Sequence, residues 1–311
     1  MPSEDLPEPL TPQDEGRHAP DPDVELWNES WYLDFATSDG RLGGYVRYSL
    51  YPNEGVAWLW ACLVGEGREL IATVDHALPL PQDPGDTGLE AGPVRLHQHV
   101  AEPFGEVRVE LACPATRHTR PQDLYAGTSG TPVELTFDLT WRPGSRPYPY
   151  PGLTRYEVPC EVAGTVAVDG EVLEVDADGE RDHSWGHRDW WAFPWIWTSG
   201  RLDDGTFLHG TRPDIDGVDY QPGFVVPPGG ELVEAAHFAP HHEVDTEGLP
   251  RHTDAVLHDL DVRITPVHVS PLRLDAPDGR TTRLVRALCR FEEADGRRGF
   301  GWSEWNQPRS G

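Results

Sequence analysis

Residues 133–141 read VELTFDLTW, so that Val133, Leu135, Phe137, Leu139 and Trp141 alternate with Glu134, Thr136, Asp138 and Thr140. A period of two sends successive side chains to opposite faces, which suits a strand with one dry and one wet face and does not suit a helix. Further strands are expected at 27–36, 44–51, 68–77, 94–100, 107–113, 165–168 and 283–291. Hairpin-type turn signals separate such segments: Asp169-Gly170, Asp203-Asp204-Gly205, Asp278-Gly279 and Asp295-Gly296. No segment keeps a helical period beyond about two turns. With 32 Gly and 31 Pro in the chain, the pattern predicts an all-β sandwich or barrel, and the lack of a sequence repeat argues against a propeller.

The 311 residues are enough for two β-domains. The proline-rich stretch WRPGSRPYPYPGL, 141–153, cannot continue a central strand and is the natural boundary. The expected organisation is an acidic, disordered leader at 1–26, an N-terminal β-domain at 27–154 and a C-terminal β-domain at 155–311. The leader is rich in Pro, Asp and Glu and lacks the basic and apolar regions of a signal peptide. The longest apolar run, VAWLWACLV at 56–64, is too short for a membrane span and fits a strand buried on both faces. A cytoplasmic location is therefore expected.

Net charge is -28, and all 25 basic residues are arginine. Such a field repels phosphates and anionic headgroups, so nucleic acid and membranes are not expected partners. Cys62, Cys113, Cys160 and Cys289 have no C-x-x-C spacing and read as buried free thiols.

The segment GERDHSWGHRDWW, 179–191, places two Arg-Asp pairs, two histidines and three tryptophans in thirteen residues. Charges are costly to bury and tryptophans costly to expose, so the mixture points to a pocket wall. On a strand ending at Gly186, Arg181, His183 and Trp185 share one face while Asp182 and Ser184 share the other. Trp190, Trp191, Trp195 and Trp197 extend the aromatic set, and Phe207 and His209 share a face after the next turn. Near the C-terminus Gly299 and Gly301 permit close approach, and Trp302 and Glu304 share a face expected to turn toward the motif. A cavity shared between the two halves is the expected result. The order Asp182-His183-Ser184 cannot form a hydrolase triad on one strand, because adjacent residues do not line up as orienter, base and nucleophile. The histidines of HFAPHHE, 237–243, read as a solvated loop, and the His97/His99 pair lacks the accompanying metal-site spacings, so no metal is expected.

The run from Tyr156 through VAGTVAVDGEVLEVDADGERDHSWGHRDW, with Gly164, Gly170, Gly179 and His183-Ser184-Trp185-Gly186 at characteristic spacing, resembles the central motif of the lipocalin-like superfamily of carotenoid 1,2-hydratase (hydroxyneurosporene synthase) and related Diels-Alderases. The resemblance implies two packed lipocalin-like antiparallel β-barrels and chemistry without a cofactor. It carries His183 and Trp185 over as site residues, while the family's acid, an aspartate two residues after a tyrosine, has no clean counterpart. Asp182, His183, Trp185, Arg188 and Asp189 are the expected catalytic residues, and Trp190, Trp191, Trp195, Trp197, Phe207, His209, Trp302 and Glu304 the expected substrate contacts. The expected activity is that of a cofactor-independent lyase, isomerase or cyclase using acid–base catalysis on a hydrophobic, unsaturated small molecule of isoprenoid or polyketide type. A non-catalytic carrier of such a molecule is the alternative.

Overall fold

The structure, a computed structural model, describes residues 9–83 and 87–309. Residues 1–8 of the expected leader and the last two residues of the chain lie outside the described residues. Strands β1 (Trp27–Ala36), β2 (Leu42–Tyr51), β3 (Val56–Gly65), β4 (Leu70–Pro79), β5 (Leu89–Ala91), β6 (Val94–Val100), β7 (Val107–His118), β8 (Thr131–Pro143), β9 (Tyr148–Pro149), β10 (Arg155–Val168) and β11 (Glu171–His187) form one antiparallel sheet. The second antiparallel sheet holds β12 (Trp195–Leu202), β13 (Phe207–Pro213), β14 (Gly223–Val226), β15 (Val233–Glu234), β16 (Phe238–Val244), β17 (Pro250–Leu257), β18 (Leu260–Asp275), β19 (Thr281–Glu293) and β20 (Arg298–Arg309). Among the described residues there is no α-helix, only short 3-10 turns at Pro12–Glu15 and Pro121–Leu124.

Pairing of β4 with β7 closes the first sheet into a barrel in the order β4-β3-β2-β1-β11-β10-β8-β7. The second sheet curls in the order β15-β14-β13-β12-β20-β19-β18-β17-β16. The changeover between sheets falls at 188–194, not near 155. The hairpin β10–β11 pairs with β8 and β1, so the segment expected to open the C-terminal domain completes the first sheet. The proline-rich stretch is an excursion inside that sheet, with Tyr148 and Tyr150 buried. Its Tyr148–Pro149 pairs with β10, which leaves the ladder room to continue beyond it.

Burial explains where the strand patterns are clean and where they are not. In β8 buried and exposed residues alternate as the sequence predicts. In β1 all ten residues are buried, because the sheet is covered on both sides. Trp31, Leu33 and Phe35 point into the first barrel. Tyr32 points outward and packs with Trp197, Leu284 and Trp302 of the second sheet. Strand β3 does the same, with Leu59, Ala61 and Leu63 inside and Trp58, Trp60 and Cys62 against the second sheet. The second sheet encloses a further core around Ile196, Leu257, Phe291 and Trp305. All four cysteines are buried free thiols.

Close approach of β12 and β20 depends on glycine, as expected. A Cβ at Gly301 would lie 2.1 Å from the Ser199 carbonyl oxygen, and one at Gly299 would lie 1.9 Å from that of Arg201. The leader departs from expectation over residues 9–26, which are placed against the first barrel. Glu15 is buried and grips Arg181 through Nη1–Oε1 at 2.9 Å and Nη2–Oε2 at 3.1 Å. A buried guanidinium inside a barrel requires a counter-charge, and the acidic leader provides it.

Candidate active site

Strand β11 sets the geometry of the site because both of its faces are covered. On one face Arg181, His183 and Trp185 point toward the leader. His183 lies between two acceptors, with Nδ1 2.9 Å from the Asp14 carbonyl and Nε2 3.0 Å from Glu29 Oε1. Trp31 stacks on it at 4.8 Å, and Trp185 stacks on His18 at 3.9 Å. Burial alone would lower the pKa of His18, but Glu29 and Asp14 outweigh it and raise it. Strand β11 also does not end at Gly186; that residue takes a φ of 104° and the ladder with β1 runs on to His187.

The opposite face carries Glu180, Asp182 and Ser184, which look toward the second sheet. Here the two sheets enclose a cavity of about 470 Å³. Tyr32 and Arg47 come from the first sheet, Trp195, Trp197, Arg286 and Glu304 from the second, and Arg188 and Asp189 from the crossing between them. Tyr150 to Leu153 form one lip and Ile215 to Tyr220 the other.

A hydrogen-bonded chain runs from this cavity into the protein. Tyr150, at the cavity wall, has its hydroxyl 2.7 Å from His209 Nε2 and 2.6 Å from Thr211 Oγ1. His209 Nδ1 lies 2.9 Å from Glu180 Oε2. Both His209 and Glu180 are fully buried. Burial holds His209 down at about 4 and, together with Asp182, pushes Glu180 well above the usual carboxylate range. Burial likewise raises Tyr150. Burial favours the uncharged form of all three, which assigns one direction to the chain. Glu180 donates to Nδ1, Nε2–H donates to the tyrosine oxygen, and the hydroxyl hydrogen points to Thr211 and the cavity.

Beside this chain, Arg155 bridges two carboxylates at 2.7 Å from Glu157 and 2.9 Å from Asp182. Burial, with Asp182 and Glu180 close by, pushes Glu157 up to about 8. Arg286 pairs with Glu304 at 2.5 Å, and Trp195 Nε1 donates to the same carboxylate at 2.7 Å. Burial alone would raise Glu304, but Arg286, the Trp195 N–H, Arg188 and Arg155 together hold it below its ordinary value.

Of the residues expected from the sequence to be catalytic, Asp182, Arg188 and Asp189 line the cavity, with Asp189 also paired to Arg280 at 2.9 Å. His183 and Trp185 do not, because period-two alternation turns them to the far side of the sheet. Among the expected substrate contacts, Trp195, Trp197 and Glu304 line the cavity. Trp190, Trp191 and Trp302 are consumed in packing: their Nε1 groups donate to Tyr51 Oη, the Leu274 carbonyl and the Phe35 carbonyl. Phe207 is buried against Phe224, and His209 stands one residue behind the wall, under Tyr150. Tyr32, Arg47, Tyr150, Arg155, Glu180 and Arg286 were not singled out from the sequence. The available signal was a lone charge in an apolar strand, as in Tyr45-Val46-Arg47-Tyr48 and Leu284-Val285-Arg286-Ala287.

Two clusters offer donor sets that a metal could use, His18/Glu29/His183 and Glu157/Glu180/His209. The His237–Glu243 run is instead part of edge strand β16 and its approach, where most side chains are exposed. No helix among the described residues is long and apolar enough to cross a membrane.

Two curled antiparallel sheets with a polar and aromatic cavity at their junction define the class: an all-β, lipocalin-like barrel fold. Residues 11–309 match the family described as a domain of unknown function, DUF7064, and the chain belongs to it. Among solved structures, an AttH-type protein from Nitrosomonas europaea is similar with a TM-score of 0.66 at 16% identity, covering 96% of this chain and 98% of that one. Kievitone hydratase from Nectria haematococca is similar with a TM-score of 0.60 at 13% identity, covering 96% and 93%. CghA is similar with a TM-score of 0.55 at 11% identity, covering 91% and 88%. No curated protein matches the chain significantly in sequence. The resemblance read from the HSWG motif thus holds at the level of the fold.

Proposed function

We propose that this protein is a cofactor-independent lyase, isomerase or cyclase of the hydratase–dehydratase or cyclase type. Its substrate is a hydrophobic, unsaturated small molecule of isoprenoid or polyketide type. The observation that carries the reading is the buried Glu180–His209–Tyr150 chain ending at the cavity wall. A carrier has no use for such a relay, whereas a general acid needs a proton held at neutral pH and a route for replacing it. The fold shared with kievitone hydratase, a hydratase by name, agrees with this.

In the proposed step the Tyr150 hydroxyl gives its proton to a substrate oxygen, His209 Nε2–H replaces it, and Glu180 passes its proton to Nδ1 and becomes a carboxylate. Asp182, at the same wall, accepts the proton leaving the substrate. The guanidiniums of Arg47, Arg155, Arg188 and Arg286 disfavour a carbocation and favour negative charge developing on oxygen. Within the class, this favours elimination, addition or cyclisation activated through a carbonyl over hydration of an isolated alkene. Arg188 and Asp189 line the same cavity. His183 and Trp185 act from the far face of β11 as positioning residues.

The test uses the molecule retained through isolation, identified by mass spectrometry, and follows its conversion or its uptake of solvent deuterium. Tyr150→Phe keeps the ring and removes the proton, so the rate should fall by about 10²–10⁴-fold, the usual worth of a general acid. A Tyr150→Phe protein that matches the wild-type rate sinks the assignment.

A further inference from the structure

The cavity holds an arrangement that the relay does not use. Arg47, 3% exposed and midway along β2, has its guanidinium 4.7 Å from the centre of the Trp60 ring and 4.8 Å from that of Trp190. Arg188 lies over the other neighbours of the row, 4.6 Å from Trp190 and 5.4 Å from Trp195. Both guanidiniums therefore line the cavity while lying over the Trp190 ring packed behind it, with Trp60 and Trp195 as their further ring neighbours. Arg47 Nη1 donates to Ser49 Oγ at 2.8 Å, but Nη2 has no protein acceptor, and neither has Arg188 Nε. Among the described residues neither arginine has an ion-pair partner, whereas Arg155 and Arg286 are both paired. Burial, with Arg286 and Arg188 close by, pulls the Arg47 guanidinium down to about 10.

Two unpaired guanidiniums against one indole ring are an expensive arrangement. Ring faces offset a part of the cost, and a buried cation otherwise demands an anion. The tryptophans also fix both planar groups, which suits them to a planar, two-oxygen partner. Asp182 and Glu304 face the same space and would repel a doubly charged group, so a single negative charge fits better than a phosphate dianion. The lips, with Leu153, Phe193, Ile215 and Val218, are apolar and leave room for a hydrocarbon body.

We propose that Arg47 and Arg188 form a carboxylate subsite, so that the cavity takes amphiphilic monocarboxylic acids with an apolar tail or ring system. This deepens the reading of the cavity as a ligand site and rests on it, but it does not depend on turnover. The strongly acidic exterior makes the point sharper: selection for an anion must come from this interior pair, since the surface field opposes it.

The experiment is equilibrium titration of the full chain with phenylhexanoate and with phenylhexanamide, an uncharged molecule of nearly the same shape, followed by tryptophan fluorescence and calorimetry. Hydrogen bonds to charged groups predict a preference for the acid of about tenfold or more. Arg47→Gln and Arg188→Gln should each bring the two affinities together. The wild-type comparison needs no variant and stands even if one fails to fold. Equal or tighter binding of the amide, no binding of the acid, or a preference unchanged in both variants overturns the proposal. A protein that prefers the acid but catalyses nothing overturns only the catalytic reading.

Discussion

Replacing His209 with glutamine gives the sharpest test of the buried relay, because it removes one titration and little volume. His209 is fully buried and held at about 4 by that burial, against an ordinary value of 6.5. Below pH 6.5 the unfolded chain binds a proton at this position that the folded chain refuses until about 4, so stability is complete above 6.5 and is lost as pH falls. The difference is 2.5 pH units, and at pH 4, where the folded imidazole is half protonated, the loss comes to about 3 kcal/mol. His209→Gln has no such loss. At pH 7 the variant should be less stable, because a donor to Tyr150 or an acceptor for Glu180 is no longer well placed. Toward pH 4 the gap should narrow by about 3 kcal/mol, and the variant can become the more stable protein. Urea midpoints and slopes measured for both proteins at intervals over this range give the comparison directly, and the other histidines cancel in the difference. If the gap between the two proteins does not change with pH, His209 is not a buried neutral imidazole and the assigned direction of the relay is wrong.

The remaining expectations concern the two devices that bring the sheets to their positions. Glu15→Ala should cost about 3–5 kcal/mol, read as a lowered denaturant midpoint, since it strands Arg181 in the barrel without its counter-charge; an unchanged midpoint would mean that the leader is not docked. Gly301→Ala forces a methyl to within 2.1 Å of the Ser199 carbonyl and 2.4 Å of the Gly200 Cα, and backbone on both sides leaves it no soft neighbour. It should destabilise by about 1–3 kcal/mol or more and disturb Trp197 and Glu304, which flank the same ladder; normal stability with intact tryptophan fluorescence would contradict the close packing of β12 on β20.

Much of the fold was legible because strand patterns are local. The alternation at 133–141, the Asp-Gly turns and the doubly apolar run at 56–64 each depend on nearest neighbours, and each appears in the structure as β8, as the hairpin turns and as β3. Residues Asp169 and Gly170 both take positive φ, 50° and 85°, as the hairpin at that turn requires. Alternation also assigned His183 and Asp182 to opposite faces of one strand. It could not say which face meets the cavity, because a strand covered on both sides has no wet face to mark the outside. The leader was misjudged for a related reason: its composition describes a solvated chain, and only the distant Arg181 and Glu29 make it worth ordering. The changeover between sheets went unseen because proline marks a break in a strand without saying whether the sheet resumes beyond it.

Alternation, turn chemistry and charge thus determined by themselves that this is an all-β, acidic protein with an aromatic pocket near the HSWG segment. Tertiary structure decided which residues meet there. Tyr150 and His209 are 59 positions apart, Glu180 and His209 are 29, and Arg47 on β2 reaches Trp190 in the crossing between the sheets. Such a site is made by ladder register and by one sheet packing on another, which are properties of pairs of distant segments, and no local pattern in either member carries them.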